Sequence, residues 1–197
     1  GICGAKSPFR FDDSPEAYRR RLRAAFPAEP PERFVKPGER YICVSNTPTW
    51  AYRRWPQASW QRLADMLPRD VKVLHLGKGG FALDHPGYRD LSGLTTLAEA
   101  FSLIWNSAMF IGADTGLLHA AYMGGTPTVC VLGEGHLGHY LPWDKFPLLR
   151  CAHLNMDCAG CGWHCRYVDL SKGEIPPCLT GIKPESVMEL AKELGLV

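Results

Sequence analysis

Residues 109–132, MFIGADTGLLHAAYMGGTPTVCVL, decide the fold. An apolar run at 109–112 leads into a turn in which Gly112 and Gly116 flank Ala113-Asp114-Thr115. A short apolar helix is expected over 116–123, and a second apolar run, 128–132, follows. Neither run alternates polar with apolar residues, so each reads as a strand covered on both faces. Strand, helix and strand in that order form a βαβ unit, and strands buried in this way belong to a parallel sheet.

The same signature extends upstream. Residues 41–45 (YICVS) and 71–76 (VKVLHL) are short β-rich runs. Between them Trp60, Leu63, Ala64 and Leu67 recur at helical spacing and stop at Pro68. Thr96 and Glu99 stand at capping-box spacing, with Leu97, Ala100, Phe101 and Ile104 as the buried face of the helix they open. The order is therefore β-α-β-α-β-α-β, an α/β fold with helices on both faces of the sheet and right-handed connections. Ligands of such sheets sit beyond the carboxyl ends of the strands, which points to 46–54, 77–80, 112–116 and 133–139. Residues 1–39 form an appendage: an irregular start, a helix opened by Ser14-Pro15-Glu16 and reaching about Phe26, and a linker with four prolines and a glycine over 27–38. The main domain spans 40–197. Past Pro142 its pattern fades into a cysteine-rich segment, 151–178, before an amphipathic helix over 184–194 that Gly195 is suited to end.

The totals set limits on function. The 197 residues carry 22 basic and 20 acidic side chains, for a net charge of +2. A dedicated nucleic-acid binder usually shows a basic stripe, so nucleic acid is not an expected partner. The one basic cluster, Arg19-Arg20-Arg21 with Arg23, reads as the solvated face of a helix. No apolar run approaches the roughly 18–20 residues that span a bilayer, and residues 1–30 lack the apolar core of a secretory signal. A cytoplasmic location follows as an expectation, with peripheral attachment to the inner face of the membrane left open. Gly1 is not a methionine and stands in a connector-like stretch, so the chain is expected to be a piece of a longer one.

Three features carry chemistry. In residues 112–119 (GADTGLLH) glycines permit close backbone approach, and the helix that follows offers free N–H groups at its positive end. A diphosphate needs both. Thr115 adds a hydroxyl, and His119 lies one turn into the helix on about the same side. The plainer alternative is an ordinary capped turn. The second feature is Arg53-Arg54-Trp55-Pro56, which ends the loop after the first strand; guanidinium groups there suit phosphate oxygens, or else form a surface pair over a packed Trp55. The third is Cys158-x2-Cys161-x3-Cys165, with Cys178 after twelve intervening residues and Cys151 upstream. Four thiolates at short spacing close a tetrahedral zinc site, and His164 is a substitute ligand. Disulfides and reduced packing thiols are the competing readings. Of the remaining candidates, His75 reads as a core histidine, Trp143 as packing, and Asp12 and Asp13 as charges preceding a helix. His136 and His139 stand in a glycine-rich loop at a strand's carboxyl end.

Taken together and in this order, these features resemble glycosyltransferase family 9, the family of ADP-heptose:lipopolysaccharide heptosyltransferases. The resemblance covers about 40–197. It rests on residues 50–67 (WAYRRWPQASWQRLADML), on 90–133 (DLSGLTTLAEAFSLIWNSAMFIGADTGLLHAAYMGGTPTVCVLG), and on the cysteine pattern leading into 182–194 (IKPESVMELAKEL). It implies the C-terminal half of a GT-B enzyme: a Rossmann-like domain that binds most of a nucleotide-diphosphate sugar, ADP-heptose-like, for transfer to a lipopolysaccharide or other glycan. Asp114, Thr115, Gly116, Leu117 and His119 fall where the family holds sugar and diphosphate. Arg53 replaces the usual lysine of a phosphate contact, and Thr47 lies in the loop that also reaches the phosphates. Cysteines resembling Cys158, Cys161, Cys165 and Cys178 are frequent at this place in the family. The chain departs from the family in having Gly133-Glu134-Gly135 where relatives carry a Gly-Pro-Thr-like turn. The acceptor domain, with the expected catalytic base, lies outside these residues. No DxD-type metal motif is present, so transfer is expected to need no metal cofactor. Two other readings are a sugar-nucleotide epimerase of GT-B architecture and a non-catalytic nucleotide- or metal-binding module.

Overall fold

A computed structural model describes residues 14–26, 29–139, 141 and 146–196. Six parallel strands form one sheet in the order β3-β2-β1-β4-β5-β6. They are β1 (Tyr41–Ser45), β2 (Lys72–His75), β3 (Tyr88–Asp90), β4 (Met109–Ala113), β5 (Thr128–Val131) and β6 (Leu149–Ala152). The helices are α1 (Pro15–Ala24), α2 (Gln57–Met66), α3 (Leu97–Asn106), α4 (Gly116–Gly124), α5 (Pro177–Thr180) and α6 (Pro184–Glu193). The parallel α/β expectation therefore holds, with two strands more than the apolar pattern showed. Both are edge strands. β3 reads Tyr-Arg-Asp and is half-exposed to exposed, and β6 places Arg150 and Cys151 between buried ends. An edge strand needs no continuous apolar run, so neither has the signature that marks the central four.

The four central strands feed two cores. Ile42, Val44, Val73, Ile111, Val129 and Val131 face one layer, where Trp60 and Leu63 of α2 and Val187 and Met188 of α6 cover them. Cys43, Leu74, Phe110 and Cys130 face the other, under Leu103 and Ile104 of α3 and Leu118 and Tyr122 of α4. Successive residues of a strand alternate between the layers, as the pleat requires. The main helices are of ten residues or fewer. Helices this short are marginal alone, and each fully buried large side chain contributes roughly 2 kcal/mol, so packing on the sheet holds them.

Local signals operate as the sequence predicts. Ser14 accepts from the Ala17 N–H at the start of α1, and Thr96 and Glu99 close a reciprocal capping box at α3. Two expectations fail. Leu97 is not on the buried face of α3: it stands at the first position of the helix, 62% exposed. Arg23 is not part of a solvated face: its Nε donates to the Gly124 carbonyl and its Nη2 to that of Trp105, each at 2.9 Å. A cation at the carboxyl ends of α3 and α4 satisfies their last carbonyls and docks α1 against α4. Among the described residues no helix is long and apolar enough to cross a membrane. Asp12, Asp13 and Trp143 lie outside the described residues.

Candidate functional site

The strand order reverses between β1 and β4, so the loops leaving their carboxyl ends diverge and open a crevice. A cleft of about 810 Å³ occupies that place. Its floor includes Ser45 and Thr47 after β1, and Gly77 and Lys78 after β2. The turn from β4 into α4 contributes Asp114, Thr115, Gly116, Leu117 and His119, while Arg53 and His136 close one side. Leu97, Ala100 and Phe101 of α3 form an apolar wall. All seven residues expected to bind the donor thus line one cavity. Arg53 reaches it because the loop is braced. The Asn46 side chain donates to the Trp55 carbonyl at 3.0 Å and accepts from the Trp55 N–H at 3.1 Å, while the Trp55 ring is buried beneath.

Asp114 is the hub. Arg53 Nη2 donates to its Oδ2 and to its backbone carbonyl, both at 2.8 Å. His136 Nδ1 lies 2.9 Å from Oδ2, and His119 Nε2 lies 3.1 Å from Oδ1. Burial works to raise the Asp114 pKa, but the bonds from His119 and His136 and the Arg53 charge outweigh it and hold the carboxyl at about 2. It is ionised at neutral pH, so both imidazoles donate to it. His119 Nδ1 then accepts from the Tyr122 hydroxyl at 2.6 Å, a phenol that burial keeps protonated. The carboxylate fixes three side chains on the rim rather than offering itself as a free base.

The α4 N-terminus is open. Thr115 is its N-cap yet makes no capping bond, and its Oγ1 is buried without a partner. The first-turn N–H groups are left for an acceptor from outside the chain, while the Thr115 hydroxyl lies buried behind them. A Cβ on Gly116 would meet nothing within 4 Å. The space in front of this backbone is therefore empty of protein. Among the described residues, Nε and Nη1 of Arg53 have no protein acceptor, leaving part of its donor fork for a ligand.

Residues 10–160 match glycosyltransferase family 9 (heptosyltransferase). The chain belongs to that family. A curated relative, lipopolysaccharide heptosyltransferase 1 of Pseudomonas aeruginosa, is 27% identical over 171 residues, covering 77% of this chain and 47% of that protein. Among solved structures, the E. coli ADP-heptose lps heptosyltransferase II superposes with a TM-score of 0.62 at 19% identity, over 91% of this chain and 51% of that one. The dodecameric iron-containing heptosyltransferase TibC of enterotoxigenic E. coli, in complex with ADP-D-beta-D-heptose, gives 0.62 at 20% identity, over 79% and 46%. These two likenesses concern the fold. The chain spans about half the length of the relatives it matches.

Against the family pattern, the turn at Gly133-Glu134-Gly135 has a structural cause. A Cβ on Gly133 or Gly135 would lie 2.7 or 2.5 Å from the Trp163 ring, so these glycines make room for an indole from the cysteine-rich segment. Cys158, Cys161, Cys165 and Cys178 all border one small pocket beside Gly135 and Trp163, and each is a free thiol. Among the described residues no three His, Cys, Asp or Glu side chains are gathered closely enough to hold a metal ion as they stand. His164 is exposed and faces the Cys161 carbonyl, and Cys151 lies in β6 beside Cys130. His139 contacts the Gly160 carbonyl and stands outside the cleft. His75 is a core residue, as read, with Nδ1 bonded to Asp90 and Ser92. Sequence reasoning missed Lys78, Trp163 and the apolar wall. Lys78 had a usable signal, since it follows a strand's carboxyl end. Trp163 had none, because its contacts join segments far apart in the chain.

Proposed function

We propose that this chain is the C-terminal, donor-binding half of a two-domain GT-B glycosyltransferase. It grips a nucleotide-diphosphate sugar, ADP-heptose-like, for transfer to a lipopolysaccharide or other glycan acceptor. The observation that carries the reading is the meeting, in one cleft, of unpaired donors: the uncapped start of α4 at Thr115 and Gly116, and the free part of the Arg53 fork. The family's heptosyltransferases, one of them in complex with an ADP-heptose, support the donor class. The wall of Leu97, Ala100 and Phe101 suits the flat face of a base. In the reaction an acceptor hydroxyl attacks the anomeric carbon, a base takes its proton, and the diphosphate departs. The charge that needs stabilising grows on that diphosphate, and donors already fixed in place stabilise it without reorganisation. Asp114, the one carboxylate among the residues lining this cleft, is fully engaged and is not free to act as the base. The base and the acceptor site fall to a domain outside these residues. With no DxD motif in the chain, the donors named above carry the leaving-group charge in place of a metal. We place the protein in the cytoplasm, with peripheral attachment to the inner face of the membrane left open.

The test is a thermal-shift panel of ADP-, UDP-, GDP- and CMP-sugars on the full-length protein. A selective ligand at a hundred times its Kd stabilises by about 2.7 kcal/mol and stands out from the rest. If no nucleotide moves the midpoint at millimolar concentration, the donor-binding reading fails. Loss of the shift in Arg53→Ala places the ligand in this cleft.

A structural metal at Cys158, Cys161, Cys165 and Cys178 belongs to the same proposal. The fit rests on chemistry: four thiols border one pocket, in a segment with little core of its own. Zinc suits such a set, and the iron-containing TibC makes iron the competing choice. The ion would staple the segment and take no part in transfer. Elemental analysis of the purified protein should find close to one equivalent, lost in Cys158→Ser; a metal-free wild type with four titratable thiols would rule it out.

A further inference from the structure

Trp163 is the one non-glycine residue with positive φ, 66°, among the described residues. A bulky side chain is disfavoured in that left-handed region, so the surroundings must hold it there. Two observations show what does. The ring occupies the space that side chains at Gly133 and Gly135 would take. Its segment is stitched to the same loop, Gly160 N–H donating to the Glu134 carbonyl at 2.8 Å and Gly162 N–H to that of Gly135 at 3.0 Å. Once held, the indole meets two side chains that line the cleft, Arg53 and His136, and Tyr52 beside them. The Arg53 guanidinium carbon lies 5.5 Å from its ring centre, the His136 ring stands edge-on at 5.4 Å, and Tyr52 packs at 5.5 Å. Arg53 and His136 are also the residues that clasp Asp114 Oδ2.

We infer that Trp163 is a positioning residue: its indole face holds Arg53 and His136 against Asp114, so the cysteine-rich segment sets the geometry of the donor cleft. The effect on ligand affinity rests on the donor-binding reading, whereas the effect on Arg53 and His136 does not. A cation over an indole and an edge-on aromatic contact both need a π face, and an aliphatic side chain of similar bulk supplies neither. Space-filling and positioning therefore separate by substitution. Trp163→Phe keeps an aromatic face, Trp163→Leu removes it, and Gly135→Ala displaces the ring without changing Trp163.

The experiment uses the full-length protein and two readouts. The first is the ¹⁵N resonance of His136 Nδ1 without ligand, assigned with His136→Gln, which reports whether that nitrogen keeps its proton on Asp114. The second is the affinity for ADP by calorimetry, including Trp163→Leu on an Arg53→Gln background. Trp163→Leu and Gly135→Ala should both shift the resonance and weaken ADP about tenfold, with Trp163→Phe close to wild type. On the Arg53→Gln background, which has no cation for the ring to hold, the further loss should shrink to less than about twofold. An unshifted His136 resonance in Trp163→Leu, or losses at 53 and 163 that simply multiply, would overturn the inference. If Trp163→Leu does not fold, Gly135→Ala and Trp163→Phe decide by the same readouts. If wild type binds no ADP or other nucleotide, the donor reading falls and the His136 resonance alone decides the role of Trp163.

Discussion

The β4–α4 turn and the cysteine-rich segment meet at one cleft and are built in opposite ways. The turn hangs from a strand with five buried residues, opens a helix, and has a buried carboxylate at its centre. The segment from 153 to 176 has a single 3-10 turn, Leu170–Lys172, as its regular structure. Its internal side-chain bonds are mostly exposed ones, such as those from the Tyr167 hydroxyl to Asp157 at 2.8 Å and from the Ser171 hydroxyl to Asp169. The turn is shaped by the chain around it, and the segment by what it touches. Equivalent chemical changes in the two should therefore have unequal consequences, and that inequality can be measured.

The largest expected effect is at the hub. Asp114→Ala leaves Arg53 clustered with two imidazoles and no counter-charge. Breaking a fully buried pair costs on the order of 3–5 kcal/mol, and this part-buried one should fall at or below the lower end of that range. Denaturant unfolding should show the loss, and Asp114→Asn, which keeps an acceptor, should recover part of it. The matching change in the segment is Asp157→Ala, which removes the partner of Arg166 and Tyr167 at the surface. Its unfolding midpoint should be indistinguishable from wild type. Equal losses at the two positions would erase the distinction between the regions.

Next in size is the pH dependence. The Asp114 carboxyl sits below its unfolded value, at about 2. A depressed carboxylate contributes stability that is complete above the unfolded pKa and disappears as pH falls through the folded one. Wild type should lose on the order of 2 kcal/mol relative to Asp114→Asn between about pH 5 and pH 2. Parallel curves for the two proteins would show that the hub does not hold its charge as described.

How far each region was legible follows from the same contrast. The turn could be read because strand, glycine and helix signals lie next to one another, and because continuous apolar runs mark strands buried on both faces. The edge strands β3 and β6 lack that signal: Arg89, Asp90 and Arg150 are charged and only partly buried or exposed, and the ladder alone defines them. Arg23 was misread for a related reason, since two carbonyl ends about 80 and 100 residues away decide its environment. Arg53 was read as a phosphate ligand, and the structure shows it clasped to Asp114 with part of its fork free. The Gly133-Glu134-Gly135 turn looked like a departure from the family pattern without a cause. Its cause is Trp163, and local sequence cannot reveal a contact between 135 and 163.

Two glycines, one from each region, give the smallest effects and the sharpest contrast. Gly116 stands at the first position of α4 with open space where a Cβ would go, whereas a Cβ on Gly135 would strike the Trp163 ring. Gly116→Ala should leave the unliganded protein as stable as wild type or more stable by up to about 1 kcal/mol, because alanine narrows the unfolded ensemble at no steric cost. Gly135→Ala should destabilise, because the ring must move. On ligand the two should agree in sign for different reasons: the methyl at 116 intrudes on the backbone that a diphosphate must approach, and the one at 135 disturbs Arg53 from behind. A several-fold weaker ADP affinity with an undiminished melting temperature in Gly116→Ala would be hard to explain unless the empty space before α4 is where the phosphates lie. Unchanged affinity would move the diphosphate away from the helix start and leave it to Arg53 and the loops after β1 and β2.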